Sequence, residues 1–181
     1  MFGVESGKPG VENGKLNADV AGMSPSWIAE KAGFKIPEGT SIIAVELDSV
    51  GPEEPLSREK LSPVLGFYKV KDSTEGFALC EKMLEFGGLG HSAAIHCKTQ
   101  AMADAFGDTV KALRIIWNSP STFGGIGNVY NSFLPSLTLG CGSYGHNSVG
   151  GNVSAINLLN IKKIGKRRNT MPGELRQWPC H

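Results

Sequence analysis

The sequence has no apolar run approaching the roughly 18 residues of a membrane-spanning helix. Its first residues, Met1-Phe-Gly-Val-Glu-Ser-Gly-Lys8, lack the charged-then-apolar profile of a secretory leader. A secreted or membrane-bound protein is therefore not expected. Cysteine is sparse: Cys80, Cys97, Cys141 and Cys180 show neither a CxxC pair nor a Cys/His ligand spacing, which argues against a zinc site and a redox dithiol. No metal is expected, and reduced thiols fit a cytoplasmic setting. Net charge is also lacking, at a formal +1, which leaves little pull toward nucleic acid or an anionic membrane. The only basic run, Lys162-Lys-Ile-Gly-Lys-Arg-Arg168, is short and reads as a solvated segment, so no nucleic-acid or membrane partner is expected. There is no internal repeat.

What is present is an ordinary globular composition, 40% hydrophobic and 19% charged over 181 residues, sufficient for one core. Residues 1–14 read as a flexible lead-in, because glycine, lysine and glutamate occur there without apolar periodicity. Ser24 as N-cap and Pro25 at the first helical position predict a short helix with Ile28, Ala29 and Ala32 inward, stopped by Gly33. Residues 41–45, a compact β-branched run, predict a buried strand, and residues 64–70 a second. The run Asp72-Ser-Thr-Glu75 caps a predicted helix with Phe77, Leu79, Cys80, Met83, Leu84 and Phe86 at helical spacing, ended by Gly87-Gly88. Residues 92–97 predict a strand, 101–113 a helix with Met102, Phe106, Val110 and Leu113 inward, and 114–118 another strand. Strands alternating with helices imply crossover units and an α/β fold with a mainly parallel sheet and flanking helices. Beyond Pro120 the texture is that of loops, and residues 170–181 form an irregular tail.

In open α/β sheets ligands gather beyond the carboxyl ends of strands, which directs attention to three polar loops. Glu59, ahead of a predicted strand, can accept hydrogen bonds from a ribose or stand as a surface carboxylate. His91, bracketed by glycines in Phe86-Gly-Gly-Leu-Gly-His-Ser92, is an imidazole with an ordinary pKa of about 6.5, able to exchange a proton near neutrality. Its other reading is a histidine that satisfies backbone groups at a helix end. Cys141 lies in the glycine-rich run Leu139-Gly-Cys-Gly-Ser-Tyr-Gly-His-Asn147, as a nucleophilic thiol or as a small thiol in a tight turn. The run Gly124-Gly-Ile-Gly127 is a weak phosphate-loop signal, since the GxGxxG spacing is absent.

An ordered series of motifs carries more. Leu16-Asn-Ala-Asp-Val-Ala-Gly22, Ile28-Ala-Glu-Lys-Ala-Gly-Phe34, Glu59-Lys-Leu-Ser-Pro63, Gly87-Gly-Leu-Gly-His91, Gly124-Gly-Ile-Gly127 and Pro135-Ser-Leu-Thr-Leu-Gly-Cys-Gly-Ser143 together resemble the CoA-acylating aldehyde dehydrogenase domain of the bifunctional acetaldehyde/alcohol dehydrogenases. The resemblance runs from about residue 14 to 169. It implies a Rossmann-like portion of the aldehyde dehydrogenase catalytic domain over residues 15–169. The implied activity is the fermentative interconversion of acetaldehyde and acetyl-CoA, with NAD as cofactor and CoA as cosubstrate. It places Glu59 at the glutamate that contacts the nicotinamide ribose, Leu61 beside it at the nicotinamide end, and His91 near the reacting thioester.

The departures are equally specific. The family's nucleophilic cysteine belongs to an Ile-Cys-Ala type motif that does not occur here, and Cys141 stands in a different motif. The dinucleotide-binding domain and the iron-dependent alcohol dehydrogenase domain have no counterpart in this sequence. The family's Trp-Gly-Gly is replaced by Tyr144-Gly145-His146, and the pattern is lost after Arg168. A fragment, inactive alone and homo-oligomeric in its full-length form, is expected, with unpartnered strand edges that favour association. The alternative is a non-catalytic module that binds full-length subunits.

Overall fold

A computed structural model describes residues 11–12 and 15–166. The expected tail over 170–181, Cys180, and most of the expected lead-in over 1–14 lie outside the described residues. Within that lead-in, Val11–Glu12 (β1) pairs antiparallel with Lys15–Leu16 (β2).

Helix α1 (Pro25–Ala32) forms as its sequence dictates. The Ser24 hydroxyl accepts the Trp27 amide at 3.2 Å, Pro25 occupies the first turn, and Gly33 ends the helix in the left-handed region at φ +78°. Its Ile28 and Ala29 are buried. Strands β3 (Ile43–Glu46) and β4 (Val64–Phe67) pair in parallel, Ile43 opposite Val64 and Glu46 opposite Phe67. The run that looked fully buried alternates between half-buried and exposed positions, because no third described strand joins either edge of this pair.

Helix α2 (Ser73–Gly87) starts at Asp72, whose carboxylate accepts the Glu75 amide at 2.9 Å, and leads into a β–α–β unit. That unit consists of β5 (Gly90–Ile95), α3 (Gln100–Thr109) and β6 (Ala112–Trp117), with β5 and β6 parallel and Ser92 opposite Arg114. Phe106, Val110 and Ala112 form its buried centre, against which Phe77, Cys80 and Leu84 of α2 pack. Rings of Phe77 and Phe106 lie 5.1 Å apart in a tilted contact of the kind aromatic pairs prefer. The predicted helix over 101–113 ends at Thr109. Val110 turns extended and the Glu81 carboxylate takes the Lys111 amide at 2.7 Å, which transfers Leu113 from helix to strand.

The α/β class with parallel pairing is present as expected, but as two separate two-stranded parallel pairs among the described residues, not one continuous sheet. Helix α4 (Ser121–Ile126) replaces the loop expected after Pro120. Residues 138–142 and 149–153 then run antiparallel as a narrow ribbon, tied by Gly142 to Val149, Gly140 to Gly151 and Val153 to Thr138 backbone bonds of 2.9 Å each. No helix among the described residues is long and apolar enough to cross a membrane.

Candidate active site

A cleft of about 770 Å³ opens where the loop before β4, the end of α2, the start of β5, α4 and the ribbon converge, and Glu59, Met83, His91, Ser121, Leu139 and Cys141 face it. Three loops that the sequence singled out separately thus meet in one place. The convergence depends on Gly90. At φ +83° it adopts a backbone conformation that side chains disfavour, and a Cβ there would run into the Cys141 carbonyl. The first residue of β5 therefore lies directly against the glycine-rich turn.

His91 is exposed on β5, and its Nδ1 lies 3.1 Å from the Ser92 hydroxyl. That hydroxyl accepts the Arg114 Nε–H at 3.0 Å, and Arg114 Nη2 donates to the Gly140 carbonyl at 2.6 Å. Arg114 is only 3% exposed, and its Nη1 has no hydrogen-bond partner among the described residues. Removal from water lowers its pKa from the ordinary arginine value, an effect opposed by the Cys141 thiol.

Glu59 is exposed at the mouth of the same cleft, on the loop between a 3₁₀ turn (Pro55–Ser57) and β4. The loop is held from below by Lys60, which is buried and donates to the Leu56 carbonyl at 2.5 Å and the Arg58 carbonyl at 2.7 Å. Burial lowers the Lys60 pKa, against the raising influence of Glu54 and Glu59. The Arg58 guanidinium stacks 4.3 Å from the Phe86 ring centroid and so ties the loop to the end of α2. Leu61 is 59% exposed at φ +46° and is not among the residues that line the cleft, although its carbonyl accepts the Gly22 amide at 2.8 Å.

Cys141 is a free, partly buried thiol on the cleft wall, and its amide donates to the Asn147 side chain at 3.2 Å. Gly124 and Gly125 lie inside α4, and a Cβ on Gly124 would collide with the Ile116 side chain. Gly124 therefore lets α4 pack onto β6, which is a structural use of glycine and not a phosphate loop. The residues that sequence reasoning overlooked are Ser92, Arg114 and Lys60. A period-2 reading of Ala112-Leu-Arg-Ile-Ile-Trp117 would have found one of them, since Arg114 shares the inward face with Ala112 and Ile116.

No family model matches the chain. It is 61% identical over 170 residues to the aldehyde-alcohol dehydrogenase of Streptococcus pneumoniae serotype 4, covering 94% of this chain and 19% of that protein. To aldehyde-alcohol dehydrogenase 2 of Entamoeba histolytica it is 52% identical over 171 residues, covering 94% and 20%. The crystal structure of an acetylating aldehyde dehydrogenase from Geobacillus thermoglucosidasius superposes with a TM-score of 0.83 at 44% identity, over 90% of this chain and 36% of that one. The chain spans about a fifth of the length of these curated relatives.

Parallel strands with crossover helices and a glycine-walled cleft, set beside that superposition, define a portion of the aldehyde dehydrogenase catalytic fold. Within that class the chain is a segment of the CoA-acylating aldehyde dehydrogenases, from the aldehyde dehydrogenase region of the bifunctional aldehyde-alcohol enzymes. The comparisons support this over a non-catalytic interaction module.

Proposed function

We propose that the chain supplies one wall of the active site of an NAD-dependent, CoA-acylating acetaldehyde dehydrogenase, a cytoplasmic fermentative enzyme that is homo-oligomeric in its full-length form. The observation that carries this reading is the meeting of Glu59, His91 and the glycine-rich turn in one cleft. Bound NAD would supply a hydride acceptor, and CoA the thiol that takes the acyl group.

The exposed Glu59 carboxylate at the cleft mouth suits a ribose diol, and Leu61, two residues on but outside the cleft lining, is assigned to the nicotinamide end by the resemblance alone. His91 offers a ring nitrogen to the carbonyl of the aldehyde or thioester. The pyrophosphate contacts are assigned, by the resemblance, to the dinucleotide-binding domain of a complete enzyme. The nucleophilic cysteine is likewise assigned to the upstream part, and the chain alone is expected to be inactive.

The test exchanges this segment into the pneumococcal relative and follows NADH formed from acetaldehyde, NAD and CoA, with the isolated chain assayed in parallel. The exchanged enzyme should turn over and the isolated chain should not. In the exchanged enzyme His91→Ala should lower kcat by about 100-fold, with the KM for NAD little changed. Glu59→Gln should raise the KM for NAD and slow hydride transfer. Unchanged kinetics in both variants would remove both roles, and turnover by the isolated chain would make a local thiol such as Cys141 the nucleophile.

A further inference from the structure

We infer that Arg114 and Ser92 are positioning residues that hold the neutral His91 ring in its Nε2–H tautomer, so that an acyl carbonyl in the cleft meets a hydrogen-bond donor and not a base. The inference rests on the placement of His91 in the active site proposed above. Its origin is the register of the β5–β6 pair, which sets Ser92 directly opposite Arg114.

Arg114 Nε–H donates to the Ser92 oxygen at 3.0 Å, and a guanidinium has only donors to offer. The hydroxyl is left with one proton to give, and among the described residues the acceptor within reach is His91 Nδ1, at 3.1 Å. Were Nδ1 protonated instead, the Ser92 oxygen would accept twice and its own hydrogen would turn from the protein to solvent, so the pairing that gives each of the three groups a protein partner has the hydroxyl donating to Nδ1. Nδ1 therefore accepts, and the proton of the neutral ring resides on Nε2.

Arg114 cannot easily turn away from Ser92. It is buried on the inward face of β6, and its Nη2 is fixed at 2.6 Å to the Gly140 carbonyl of the ribbon. The same contact links the tautomer of His91 to the closure of the glycine-rich turn. An Nε2–H group stabilises negative charge as it develops on a carbonyl oxygen. In this state Nε2 has no lone pair with which to deprotonate a thiol.

The test uses the chain with its four histidines labelled with nitrogen-15, observed by magic-angle-spinning NMR well above the ordinary imidazole pKa of about 6.5. That method reads soluble and associated protein alike, and His91→Gln assigns the signal. His91 should show a pyridine-type Nδ1 and a pyrrole-type Nε2, with no second tautomer. Ser92→Ala, which leaves Arg114 in place, should give a mixture of tautomers, and Ser92→Thr should restore the single form. A protonated Nδ1 in the unsubstituted chain, or the same tautomer ratio in Ser92→Ala, would overturn the proposal. Neither outcome depends on turnover, so a failure of the dehydrogenase assay would be recognised separately.

Discussion

The β5–α3–β6 unit and the glycine-rich ribbon beside it are neighbours held together by different physics. The first is cemented by area: Phe106, Val110 and Ala112 are buried, and α2 lays Phe77, Cys80 and Leu84 over them. The second buries little. Its apolar side chains Leu139 and Val149 are only half-buried, and order comes from single polar contacts such as Arg114 to Gly140 and from glycines where a Cβ would collide. Burial tolerates small shifts, whereas a backbone pressed against backbone does not. A scaffold of the first kind can therefore place a site wall of the second kind with accuracy, as long as the few contacts between them hold.

The largest test of this contrast is Phe106→Ala, which should cost about 4 kcal/mol of stability by cavity formation and lost burial. Chemical denaturation should show the whole unit weakened, and loss confined to the ribbon would break the comparison. Gly90→Ala should cost about 3 kcal/mol, from a left-handed alanine and a clash with the Cys141 carbonyl. Here hydrogen exchange should show the ribbon deprotected while α3 keeps its protection, and uniform deprotection would mean that the two regions are one.

The smallest effect belongs to the surface cluster of Lys111, Glu81 and Glu85, in which Glu85 alone is exposed and Lys111 lies 2.8 Å from Glu85 and 3.1 Å from Glu81. Hydrogen bonding to Lys111 lowers the Glu85 pKa, so that contribution is present above the ordinary carboxylate range and lost as pH falls through the lowered value. Lys111 is raised by the same bonds, chiefly that to Glu85, and its contribution is lost as pH rises through the raised value. Melting temperature against pH should therefore show a shallow plateau between these limits, absent in Lys111→Met and reduced by salt. An unaltered profile in Lys111→Met would show that the cluster contributes nothing.

The same division governs what could be read in advance. Helices α1 and α2 were legible because Ser24, Pro25, Gly33 and Asp72 act locally, through bonds to residues no more than four away. The end of α3 was not, because the Glu81 carboxylate that captures the Lys111 amide comes from 30 residues earlier. Helix α4 was hidden by Gly124, a poor helix former whose value is its fit against Ile116. At the site, Glu59 and His91 stood out as polar residues on glycine-rich or strand-flanking loops. Ser92 and Arg114 did not, since their partnership exists only once β5 and β6 are in register.

Asn152 extends the contrast into time. Its side-chain amide donates to the Gly125 carbonyl at 2.9 Å and the Leu134 carbonyl at 2.6 Å, with a longer approach of 3.4 Å to that of Ile126. One residue thus clasps α4, the stretch ahead of the ribbon and the ribbon's own returning strand. Segments sharing a clasp do not fray independently. The amides of Ser136, Gly140 and Val153, bonded to Ile126, Gly151 and Thr138, should share a single opening rate, and the cleft wall should come and go as one cooperative unit.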